Sequence, residues 1–145
     1  MTKINFYILP DQSHQARRMF ACRLVEKAFR MGHHVYLHVA SEQEARELDD
    51  LLWGFKPDSF IPHNLVNDSA SHELPPVQIG FGENPGEHNE VLVNLSLTVP
   101  NFFSRFDRVF EIVTSDETVT MATRKSYKFY RDRGYTIENH DMRPK

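Results

Sequence analysis

Two short apolar runs near the start of the chain, residues 4–9 and 35–39, are separated by a stretch whose apolar side chains recur every three or four positions. That alternation constrains the fold more than any other feature, because it makes a β-α-β unit. The first run is bounded by Pro10 and Asp11 and suits a strand buried on both faces of a parallel sheet. A helix over 12–31 follows, with Phe20, Ala21, Leu24, Val25 and Ala28 on its buried side, Arg23, Lys27 and Arg30 opposite, and Gly32 ending it. Residues 35–39 then alternate Val35, Leu37 and Val39 against Tyr36 and His38.

The pattern continues. Ser41-Glu42-Gln43-Glu44 has the spacing of a capping box, so a second helix starts at Ser41 and buries Ala45, Leu48 and Leu52. Trp53 projects about 110° away from that stripe on a helical wheel, and Gly54 closes the helix. Residues 55–64 run through Pro57 and Pro62 as a loop. Loops over 67–76 and 82–90 bracket a strand at 77–81; further strands fall at 91–97, 108–113 and 135–138, with a short helical turn at 101–106 and a long helix over 116–133. A chain of 145 residues with 40% hydrophobic content supports one real core. The expected architecture is a three-layer αβα Rossmann-like sandwich on a mostly parallel sheet, one domain over 1–145.

Several functions are disfavoured. A formal net charge of −3 argues against a protein that mainly wraps duplex nucleic acid, so any polyanion site must be local. The uncharged stretch between Glu90 and Arg105 is broken by Asn94, Ser96, Thr98, Pro100 and Asn101, so it does not span a bilayer. The start lacks a signal-peptide pattern, and the single Cys22 lies among apolar helix residues; both point to a cytoplasmic protein. No cofactor is expected: residues 9–13, at the first strand-to-helix turn, contain no glycine, and no Gly-Lys-Ser/Thr sequence occurs. No metal is expected either, since His33, His34 and His38 have no acid or cysteine at ligand spacing. His63 reads as a turn histidine bonded to backbone in preference to a catalytic one.

Two surfaces remain. Residues 41–58 carry six acids against two bases, and 120–145 carry seven bases against three acids. On the last helix, Val119, Ala122, Ser126, Phe129 and Tyr130 form the arc that faces the sheet, and Thr120, Arg124, Tyr127, Lys128 and Arg131 gather on the opposite arc. A guanidinium, an ammonium and an aromatic ring on one face suit a peptide ending in acids and an aromatic residue. A solvated basic face with an incidental tyrosine, or a stacking platform for single-stranded nucleic acid, fits the same residues. The second surface gathers Trp53, Phe55, Phe60 and Pro62, either as a protein interface or as a cap on the core.

Leu52-Trp53, then Ser59-Phe60-Ile61-Pro62-His63-Asn64-Leu65, Val91-Leu92-Val93-Asn94-Leu95, residues 106–113, Arg124, Tyr127-Lys128-Phe129-Tyr130-Arg131 and Gly134-Tyr135 together resemble the chi subunit family of bacterial DNA polymerase III. The resemblance runs nearly end to end. It implies a Rossmann-like fold without nucleotide chemistry and a non-catalytic adaptor in the clamp-loader assembly. It also implies two partners: the psi subunit, met around Trp53, Phe60 and Pro62, and the acidic C-terminal tail of single-stranded DNA-binding protein, met by Arg124, Tyr127 and Lys128. Where some relatives carry a lysine this chain has Thr120, which implies a contact that is weaker or supplied by Lys125 or Arg131. A nucleotide-binding enzyme and a direct single-strand binder stand as the alternatives.

Overall fold

A computed structural model describes residues 1–58, 60–66 and 74–144. Seven strands form one sheet in the order β3-β4-β2-β5-β6-β1-β7, and every pairing is parallel. The strands are β1 (Lys3–Ile8), β2 (Val35–His38), β3 (His63–Leu65), β4 (Val77–Gly80), β5 (Val91–Asn94), β6 (Arg108–Val113) and β7 (Thr136–Asp141). The helices are α1 (His14–Arg30), α2 (Glu42–Gly54) and α3 (Glu117–Asp132), with a 3-10 turn at Phe103–Arg105.

Successive side chains of the central strands enter different cores, as a pleated strand covered on both faces requires. Leu37 and Val93 join Ala21, Val25, Leu48 and Leu52 from α1 and α2, whereas Tyr36 and Leu92 join Phe103, Phe106 and Tyr130 from the 3-10 turn and α3. The result is a three-layer sandwich. Gly80 keeps β4 bare where the ring of Tyr36 lies across it, so a side chain there would strike the phenol.

Each helix starts on its own cap. Ser13 Oγ accepts from the Ala16 amide at 3.1 Å, Ser41 Oγ from Glu44 at 3.2 Å, and an Asp116 carboxylate oxygen from Val119 at 3.1 Å. Glu44 also accepts from the Ala40 amide, so the box expected at Ser41 is present, displaced by one residue on its return bond.

Two departures from the sequence reading, and one burial that it did not address, have physical causes. The segment read as a loop over 55–64 ends in β3, a three-residue strand at the edge of the described sheet, paired with β4. His-Asn-Leu after a proline has no apolar alternation to announce it. Asn94 ends β5 early because its side chain turns back on the chain, accepting from the Ser96 amide and hydroxyl and donating to the Thr98 carbonyl. Arg17, which the helical periodicity assigns to neither side of α1, is buried. Its Nε donates to the Ile112 carbonyl at 3.0 Å and its Nη1 to the Leu95 carbonyl at 2.9 Å, which locks α1 to the ends of β6 and β5. The loop expected over 67–76 lies outside the described residues from 67 to 73, as does Ser59.

Candidate functional site: two partner surfaces

The α3 surface follows from how the helix is docked. Val119, Ser126 and Tyr130 are buried against the sheet, with Ala122 and Phe129 half-buried beside them. The Tyr130 hydroxyl donates to Glu111 Oε2 at 2.7 Å, and Asn94 Nδ2 donates to the same oxygen at 3.0 Å. Burial pushes the Glu111 carboxyl up to about 7, against the opposing pull of those hydrogen bonds and of the Arg17 charge. This buried triad fixes the rotation of α3 about its axis.

That rotation sets what faces water. Arg124, Lys128 and Arg131 are exposed. Arg131 sits 3.5 Å from Asp132, a pair exposed enough to be worth little, while Arg124 and Lys128 have no acidic partner among the described residues. Tyr127 and Thr120 do not share their exposure. Tyr127 is half-buried with its ring 5.2 Å from Phe6 of β1, and Thr120 donates its hydroxyl to the Thr114 carbonyl at 3.1 Å. The arc read as opposite the core is therefore a flank: Tyr127 borders the core and the cations rise beyond it. A ring backed by Phe6 is a firmer wall than a free one, and its hydroxyl has no protein partner among the described residues.

The other surface sits at the end of α2. Trp53 is 47% exposed and Phe60 69%, their rings 5.5 Å apart, with Pro62 half-buried nearby. Phe55 instead packs on the core. His63 supports the indole from beneath, ring to ring at 4.1 Å. Its Nδ1 lies 2.6 Å from the Ile61 carbonyl oxygen and its Nε2 3.2 Å from both the carbonyl and a carboxylate oxygen of Asp49. The backbone-bonded reading of His63 holds, and the residue gains a role in fixing Trp53.

The remaining chemistry-bearing residues are structural or dispersed. Burial pushes the Cys22 thiol up to about 12, consistent with a small buried hydrophobe. Glu90, remote in sequence, reaches His33 and His34 at 3.3 Å, an acid the local spacing could not reveal. Even so, no three histidine, cysteine or acidic side chains among the described residues are grouped to hold a metal. At the carboxyl ends of β2 and β5, where open α/β sheets bind ligands, a cavity of about 110 Å³ is lined by His14, Arg17, Arg18, Glu44 and Leu48. No described helix is long and apolar enough to cross a membrane.

Comparison with known proteins gives this geometry a context. The chain is 44% identical over 142 residues to the DNA polymerase III subunit chi of Pseudomonas aeruginosa, covering 98% of each chain. It is 28% identical to the Haemophilus influenzae subunit chi, covering 94% of this chain and 95% of that one, and 25% identical to the Escherichia coli subunit chi, covering 94% and 96%. The fold is shared with the crystal structure of T4 UvsW at a TM-score of 0.70 and 8% identity; the match covers 97% of this chain and spans only 41% of that one. Residues 1–138 match the family described as DNA polymerase III chi subunit, HolC, and the chain belongs to that family.

Proposed function

We propose that this chain is an accessory, non-catalytic subunit that joins the psi subunit of the DNA polymerase III clamp-loader assembly to the C-terminal tail of single-stranded DNA-binding protein. The tail lies on α3, its carboxylates held by Arg124 and Lys128 and its terminal aromatic ring against Tyr127, with Thr120 and Arg131 at the margins. Psi covers Trp53, Phe60 and Pro62. The observation that supports the reading is the arrangement on α3: two cations without a counter-ion among the described residues, one turn apart, beside an aromatic ring packed against Phe6 of the core.

The mechanism is multivalency. Single-stranded DNA coated by its binding protein presents many tails, so contacts that are individually weak raise the local concentration of the replication machinery along the strand. Because each contact is mainly electrostatic and at the surface, it weakens with salt.

Titration of a synthetic tail peptide, followed by chemical shifts residue by residue, tests the assignment. Shifts should centre on Thr120, Arg124, Tyr127 and Lys128. Shifts confined to α1 or α2, or none at low salt, would remove the site.

A further inference from the structure

The charge around Trp53 and Phe60 says more about what covers them. Three cations of α1, α2 and the segment after it are already engaged: Arg46 with Glu42 at 3.0 Å, Lys56 with Glu26 at 3.4 Å, and Arg18 with Glu47 at 2.8 Å. Asp49 is committed to His63. Asp50 and Asp58 are exposed and have no cationic partner among the described residues. Asp50 lies three residues before Trp53, so it stands one helical turn from the indole, and Asp58 sits in the short segment between Trp53 and Phe60. An exposed aromatic pair is thus bordered by two acids that form no ion pair among the described residues.

We infer that the segment docking on Trp53 and Phe60 is basic: it sets an apolar side chain against the two rings and Lys or Arg side chains against Asp50 and Asp58. The inference rests on the reading of this end as a protein interface and adds the chemistry of the partner. Aromatic anchors supply affinity at the centre of such contacts, while charges at the rim set orientation and reject like-charged competitors. The same rim repels an acidic tail of the kind α3 accepts, so each surface excludes the other's ligand.

Calorimetry of the full-length chain with purified psi subunit, at low and high salt, tests the inference. Asp50→Lys and Asp58→Lys should each weaken binding about 3–10-fold at low salt, and the double variant more than either, with the loss shrinking at high salt. Tail-peptide affinity serves as the folding control and should stay within two-fold. If the double variant binds psi as tightly as the parent, the charge assignment is overturned, even when Trp53→Ala abolishes binding. If Trp53→Ala leaves psi binding unchanged, the interface reading itself fails. Self-association of the chain alone that disappears in Trp53→Ala would make a second copy the occupant and would also overturn the inference.

Discussion

The two surfaces invert each other. At the end of α2 the aromatic rings stand out in solvent and the polar groups lie beneath, with His63 clamped between Ile61 and Asp49 under the indole. On α3 the ring is half-sunk against Phe6 and the charges stand out, with Glu111 and Tyr130 forming the polar clamp below. In each case a buried polar group holds the element while the opposite chemistry faces solvent. The lesson is that a small α/β sheet can carry two chemically opposite exposed surfaces when each is anchored separately to the sheet.

Variants that act on one surface alone test this independence. The largest effect is expected for Trp53→Ala, which removes an exposed anchor: psi binding should fall about 100-fold or more, with tail-peptide affinity unchanged. A parallel loss in both, measured by calorimetry, would mean that the surfaces are coupled or that the fold is damaged. Arg124→Ala should weaken the tail peptide by about 10–100-fold and leave psi binding alone, with Lys128→Ala smaller because an ammonium cannot grip a carboxylate bidentately.

Proton linkage should isolate the Glu111 clamp. Glu111, raised to about 7 in the fold from an unfolded value of 4.5, contributes stability that is fully present below 4.5 and lost as pH rises through 7. His38 is driven down to about 4 by burial, so its contribution runs the other way and is lost as pH falls from 6.5 towards 4. The two slopes oppose each other in the parent chain, and Glu111→Gln exposes the second. Urea midpoints should show the variant gaining on the parent as pH rises from 5 to 8, by roughly 1–2 kcal/mol at the top of the range, with amide exchange in α3 slowed more than in α2. A constant difference across that range would place the Glu111 carboxyl in an ordinary environment. The smallest change is expected from Thr120→Lys. A further cation at the margin of α3 should tighten the tail peptide about 2–5-fold and steepen its salt dependence, though the hydroxyl bond to Thr114 is lost.

Much of this was legible in the sequence where periodicity carries the information. The apolar repeat in α1 and the capping box at Ser41 placed the first two helices, and the wheel put Trp53 off the buried stripe of α2. What stayed hidden depends on residues far apart in the chain. Arg17 is buried because two carbonyls 78 and 95 residues away accept from it, and no local pattern announces that. The placement of Tyr127 against the core follows from a rotation of α3 that Glu111, on a different element, fixes through Tyr130. A wheel divides a helix into faces but does not say where the boundary falls, so a residue on the flank, such as Tyr127 or Thr120, could be read as outward. The β3 strand escaped for want of length: three residues give no period to count.

Trp53 is the only tryptophan in the chain, and nearly half of its surface meets water. Indole emission moves to shorter wavelength when water leaves the ring, so a protein arriving at this end announces itself optically without a label. Occupation of α3, on the other face of the sheet, should leave the signal untouched. If both surfaces bind as proposed, the molecule carries a built-in reporter for one of them and is silent at the other, so the order of assembly should be readable in a single cuvette.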